Sequence, residues 1–208
     1  LAVYDRVTGL VSSGKIRMIH PSITVDRPAP ADPFALEARP VAGLRSFDPQ
    51  ASPFQRIKVS GQIVFARPGL FCLMDGAHGL RFYPKSPAAL PPGPHADVVG
   101  ILDLSGASPA LHEAWVRLQD AGPLPSPRTL TETNLLSGAH NATLVRVESS
   151  LVNVRRDRGS QVLELRAGPY VHTAHLSTNM GALPPIPIGS QVAVTGVYVG
   201  EGGDWAAG

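Results

Sequence analysis

The chain has a single cysteine in 208 residues, Cys72. That excludes an internal disulfide framework and any cysteine-rich metal site. Aromatic residues make up only 6% of the chain and the formal net charge is only +2, whereas nucleic-acid binders concentrate many basic residues on one face. No apolar run reaches the ~18 residues that a membrane-spanning helix requires. What the chain has in quantity is glycine and proline, 21 of each. They punctuate short Val/Ile/Leu tracts, the pattern of an all-β chain with many turns. A length of 208 residues accommodates two domains of about a hundred residues each, enough to fold without staples. Cys72 lies in Leu70-Phe71-Cys72-Leu73-Met74 and reads as a small buried hydrophobe.

The tracts repeat. Gly189-Ser190-Gln191-Val192-Ala193-Val194-Thr195-Gly196 matches Gly93-Pro94-His95-Ala96-Asp97-Val98-Val99-Gly100: two glycines bracket six residues, with a proline just upstream. Residues 56–64 align without a gap against residues 144–152. Self-similarity of this kind is the signature of a repeat architecture. A partial third copy opens the chain, because Thr8 to Val25 resembles the run from Val99 to Arg117. Together with the apolar start Leu1-Ala2-Val3-Tyr4, this suggests a piece excised from a longer array. The N-terminal tract is expected to pair with the open edge of the last barrel or with a neighbouring copy, since an unpaired edge exposes backbone donors and acceptors.

Each unit reads as a small five-stranded barrel. In the first, Ile57 to Val64 is a half-buried strand with Gly61 in its middle, where a bulge or sharp bend is expected. Leu70 to Asp75 is apolar on both faces, Gly76 to Gly79 turns the chain, and Leu80 to Tyr83 returns as a hairpin partner. A proline-rich crossing then leads to His95–Leu102 and Ala114–Leu118. This order is that of an OB-type Greek-key barrel. The second unit repeats it with Leu144–Val154, Gln161–Arg166, Tyr170–Leu176 and Gln191–Val199. The fold expected is thus all-β, two tandem five-stranded OB-like Greek-key barrels with a partial third unit at the N-terminus. Residues 1–50 hold the partial unit and a linker, 51–121 the first barrel, and 122–208 a linker, a short helix and a second barrel lacking its last strand. Gly122 to Arg128 is a stiff proline-rich linker. The helix is expected from the capping-box spacing of Thr129 and Glu132 and the closing Gly138.

Five features occur in order: Val59 to Val64, Leu70 to Asp75, Pro92 to Gly100, the Gly-Pro-Leu-Pro-x-Pro-Arg linker of Gly122 to Arg128, and Leu-Leu-Ser-Gly at Leu135 to Gly138. In this order they resemble the tandem OB-like extracytoplasmic region of some bacterial two-component sensor histidine kinases, over roughly residues 40–200. The chain departs from the pattern at Ala96-Asp97 and at Ser149, which stands where glycine is expected. The resemblance implies a sensing or protein-contact module without catalysis or cofactor. It also implies a periplasmic location and attachment to the inner membrane through a segment outside this chain. The partner implied is an unidentified signal molecule or protein, with self-association through open barrel edges.

No catalytic constellation stands out. His172 and His175 are three apart on one strand and so point to opposite faces, which separates them as ligands. His112-Glu113 lacks the second histidine of a zinc-protease helix, no nucleophile elbow occurs, and Asp103, Asp120, Asp157 and Glu164 are scattered. Asn141-Ala142-Thr143 is formally a glycan acceptor. The alternative function is single-stranded nucleic-acid binding, for which OB barrels use a basic groove with stacking aromatics. Its candidates are Arg155, Arg156 and Arg158 in the loop between the first two strands of the second unit, with Lys58, Arg81 and Tyr83 as the corresponding face of the first. The same residues are the candidates for contact with a ligand or partner protein.

Overall fold

The computed structural model describes residues 3–4, 11–12, 19–25, 28, 30–46, 55–86, 89–106, 108–157, 160–177 and 183–200. The chain divides into two compact units, Leu1–Ala31 and Asp32–Gly208. In the first, β1 (Val3–Tyr4) pairs antiparallel with β2 (Val11–Ser12). Residues 19–25 carry no strand, and Ile19, Ile23 and Val25 are exposed. The other parts of the tract expected to supply strands, 8–10 and 13–18, lie outside the described residues.

The second unit is all-β. Strands β3 (Arg56–Arg67), β4 (Leu70–Asp75), β5 (His78–Pro84), β6 (Pro94–Asp103) and β7 (Ala110–Ala121) close into a barrel in the order β3-β4-β5-β7-β6. The β5–β7 pair is parallel and the other four pairs are antiparallel. Alternation turns Ile57, Val59 and Ile63 inward to meet Leu73, Leu80 and Phe82 in the core. The segment before β3 adds Val41 and Leu44 to that core. It is tied down where the Val41 N–H donates to Asp75 Oδ2 (3.0 Å) and the Arg39 N–H to the Lys58 carbonyl (2.8 Å).

The second sheet is a curled half-barrel. Its strands β9 (Leu144–Asp157), β10 (Ser160–Ala167), β11 (Tyr170–Ser177) and β12 (Gln191–Val197) lie in the order β11-β10-β9-β12, and the short β8 (Arg128–Leu130) runs parallel to β9. Of the two barrels expected from sequence, one is closed. The other stays open because no described strand joins β11 to β12 as β7 joins β5 to β6.

The sequence repeat reappears in the strand register. Arg56 pairs with Ile101 and Gln62 with His95. Their repeat counterparts do the same, Leu144 with Val197 and Ser150 with Gln191. The Gly93 N–H donates to the Ile63 carbonyl and the Gly189 N–H to the Leu151 carbonyl, both at 2.8 Å. Val64 is the bulged residue of β3 against β4, and Val152 holds the same place in β9 against β10. Both hairpins turn on a left-handed glycine, Gly76 and Gly168, each at φ 56°.

Two local expectations are corrected. The bulge falls at Val64, not Gly61. Gly61 serves close approach instead: a Cβ there would lie 2.6 Å from Leu73 Cδ2 and nearer still to the Met74 carbonyl oxygen. The helix expected after the linker is absent. Arg128–Leu130 is drawn into β8, and the Asn134 side chain accepts from the Thr131 N–H (2.9 Å) while the Asn134 N–H returns to the Thr131 carbonyl. Such local bonding by asparagine competes with a helix, and only a short 3-10 turn, Gly138–His140, follows.

The two sheets share a core. Val64, Leu70, Cys72 and Met74 on the outside of the barrel pack with Ala142 and Leu144, against Val197 and Val199. The Leu144 N–H points at the Met74 sulfur (3.2 Å). Gly79 lies so close to the Asn141–Ala142 backbone that no side chain fits there.

Candidate functional site

The candidate residues of the closed barrel fall into separate environments. Lys58 points outward from β3, and its ammonium donates to the Phe34 carbonyl (2.9 Å), holding the preceding segment on the barrel. Arg81 is buried on β5, its Nε donating to Ser108 Oγ (3.1 Å). Tyr83 stacks on His112, with centroids 4.7 Å apart. His112 Nε2 in turn lies 3.2 Å from Asp103 Oδ2. The Asp103 carboxyl is held below its usual range mainly by hydrogen bonds from the Ser105 backbone and side chain, and to a lesser degree by His112. Cys72 is buried between the sheets, and burial pushes its thiol up to about 12. That makes it an inert packing group.

In the half-barrel the candidates gather at the tip of the β9–β10 hairpin. Arg155 pairs across the strands with Val162, and Arg156 with Gln161. Arg155 Nε donates to Glu164 Oε1 (3.2 Å), and Glu164 also accepts from Asn153. Arg156 is exposed at the mouth of the half-barrel, a groove of about 300 Å3 lined by Val154, Arg156, Gln161, Leu163, Leu183 and Ile186 among others. Gln161 Oε1 accepts from the Leu183 N–H (3.3 Å) and ties the proline-rich segment to that wall. Arg158 lies outside the described residues.

Deeper in the half-barrel sits a polar pair. The rung Ile63–Leu73–Leu80 of the barrel is matched in register by Leu151–Leu165–His172. His172 therefore occupies a core position. Its Nε2 is 3.3 Å from Ser149 Oγ, its buried Nδ1 has no hydrogen-bond partner, and burial holds its pKa below the ordinary histidine value. His175, three residues on, is exposed. Among the described residues no three His, Cys, Asp or Glu side chains come together as a metal site.

No protein-family model matches the sequence, and no curated protein matches it.

Sequence reasoning missed the cations stacked on aromatic faces of the barrel. Arg56 covers the Trp115 ring at 4.1 Å, with Lys85 at 5.8 Å, and Arg117 covers the Phe34 ring at 4.1 Å. Arg56 also pairs with Glu113 (3.0 Å) and Arg117 with Asp32 (3.3 Å). The outward parity of Arg56 and Trp115 on their strands was readable. Their meeting across 59 residues of chain was not.

Proposed function

We propose that the chain is a non-catalytic sensing or protein-contact module of a bacterial signal-transduction protein, built from tandem OB-like units. The strand order β3-β4-β5-β7-β6 with its parallel β5–β7 pair supports the OB-like reading of the barrel. The shared register of β3 and β9 supports reading the half-barrel as a second such unit. The sensor-kinase assignment, with its periplasmic location and inner-membrane attachment, rests on the sequence resemblance alone. No helix among the described residues is long and apolar enough to cross a membrane.

The observation that carries the contact reading is the covered face of β4. OB barrels bind oligonucleotides on the outer face of their second and third strands. Here that face, with Leu70, Cys72 and Met74, is packed under Ala142 and Leu144. The ring faces of Trp115 and Phe34, which could otherwise stack on bases, are occupied by the chain's own arginines. Among the described residues the corresponding face of the half-barrel is only partly covered: Val162, the counterpart of Leu70, is buried and Glu164 half-buried, whereas Arg166 and Thr173 are exposed and Val171 is 66% exposed. A mixed apolar and charged surface of this kind suits a protein partner.

Fluorescence anisotropy with labelled single-stranded DNA and RNA tests the reading. A flat titration at physiological salt is expected. Sub-micromolar binding, weakening with salt by a slope of about 0.7 per phosphate contact, would replace it with the nucleic-acid alternative, for which exposed Arg156 is the best support.

A further inference from the structure

Gly100 of β6 lies under a kink in β7. A Cβ added there would come within 2.9 Å of the His112 carbonyl oxygen and 3.0 Å of Leu111 Cβ. The kink consists of Glu113, at φ 47°, followed by Ala114, where the β6–β7 register slips. Glycine within a strand weakens it, and close approach of another backbone is one of the few reasons for it. The counterpart of Gly100 in β12 is Gly196, and a Cβ there would meet nothing within 4 Å. The half-barrel therefore keeps the relief for a kinked strand along an edge where none of the described strands lies.

The chain also holds a tract that fits that relief. Residues 8–25 resemble residues 99–117 in sequence. Within them His20 stands at φ 52°, Pro21 follows, and Ile23 and Val25 then alternate. Ile19, Ile23 and Val25 are 78%, 83% and 70% exposed, a poor state for three large apolar side chains in one short tract. We propose that a second copy of this chain donates residues 19–25 as the closing strand of the half-barrel, antiparallel to β12 and parallel to β11, kinked at His20–Pro21 over Gly196. With His20 set on Glu113 at the kink, one residue off a sequence match that ends Val25 on Arg117, the register of β7 on β6, where Val116 faces Val98 and Leu118 faces Ala96, puts Ile23 beside Val194 and Val25 beside Val192. Those two valines are only partly buried in the half-barrel core. Pro21 falls at the bulge, where a missing N–H is tolerated. The edges of β11 and β12, beside which no described strand lies, gain a strand neighbour. Donor and slot are different surfaces, so the contact is heterologous: two copies exchange strands, or copies extend in a row.

Sedimentation velocity on the full 208-residue chain tests this. The unmodified protein should form dimers or larger species as concentration rises. Gly196→Val fills the relief where a Cβ meets nothing within 4 Å in the single copy, and circular dichroism should show it folded. Ile23→Asp charges the donor in an exposed tract. Each should weaken self-association by at least about thirtyfold, the size of a lost interface hot spot. Mixing the two variants should restore a 1:1 complex, because one keeps a sound donor and the other a sound slot. A chain monomeric at every concentration, self-association that survives both substitutions, or a mixture that stays monomeric would each overturn the proposal.

Discussion

The rung Phe65–Cys72–Arg81 of the barrel and the rung Asn153–Glu164–Thr173 of the half-barrel occupy the same place in one strand frame, yet their surroundings are opposite. Cys72 and Arg81 are buried, Cys72 under the second sheet. Thr173 is exposed and Glu164 is only partly buried. One rung inward the contrast reverses in polarity: Leu80 is a fully buried core residue, and its counterpart His172 brings a histidine into the half-barrel. The register of hydrogen bonds, bulge and hairpin turn was kept while the side chains followed what covers each face. Backbone pairing defines the frame, and burial decides which residues it tolerates.

The sharpest way to break this comparison is to exchange the residues. Cys72→Glu places the half-barrel's carboxylate in the covered rung, where the charge of neighbouring Arg81 offsets only part of the desolvation and overpacking under the second sheet. It should cost about 3–5 kcal/mol, read by urea denaturation. Glu164→Cys loses partly exposed contacts with Arg155 and Asn153 and should cost no more than about 1 kcal/mol. Equal effects would mean that the two faces do not differ as described. Gly61→Val comes next. The obstructing atoms include the Met74 backbone, so overpacking should cost about 3 kcal/mol. Ser149→Ala at the matching position removes one hydroxyl contact and should cost about 1 kcal/mol.

Made together with Ser149→Ala, so that no buried hydroxyl loses its partner, His172→Leu restores the barrel's residue to the half-barrel and should stabilise it by about 1–2 kcal/mol, since a buried polar atom without a partner is removed. The pH dependence follows from the sign of its shift. His172 titrates below its ordinary 6.5 because burial disfavours the imidazolium. The unfolded chain therefore takes up the proton first, and stability falls as pH drops from about 6.5 toward the lowered folded value. Above that range it is unaffected. The leucine variant should lose this part of the acid sensitivity. His140, also lowered by burial and by Arg128, should retain its own part. The smallest effect is expected from converting Arg155, Arg156 and Arg158 to Gln, within about ±0.5 kcal/mol in thermal unfolding.

Much of the frame was legible in the sequence because it is local and repeated. The match of residues 56–64 with 144–152, and of the two glycine-bracketed tracts, marked the tracts that recur, and their pairing, β3 with β6 and β9 with β12, recurs with them. The apolar run of β4 signalled cover on both faces, but not that Ala142 and Leu144 supply it. Lys58 and Arg81 read as outward-facing cations, as their parity requires. Segments distant in sequence then enclose them, the Phe34 carbonyl in one case and Ser108 in the other, and no strand pattern encodes that. The helix was misjudged where Asn134 offered the backbone a local partner. The polar pair at the centre of the half-barrel was half visible. Ser149 stood out against Gly61, whereas His172 was weighed only against His175 and not against Leu80.

The central claim is that one frame occurs twice, closed in the barrel and open in the half-barrel. Native-state hydrogen exchange resolved by residue tests it most directly, using the Ile23→Asp variant so that copies stay apart. Among the described strands, β6 is paired on both sides and β12 on one. Amides along Val98–Ile101 should then all be protected, while along Val192–Val197 protection should alternate, with every second amide exchanging as if exposed. Uniform protection along both strands would contradict the open half-barrel, and alternation in both would contradict the closed barrel.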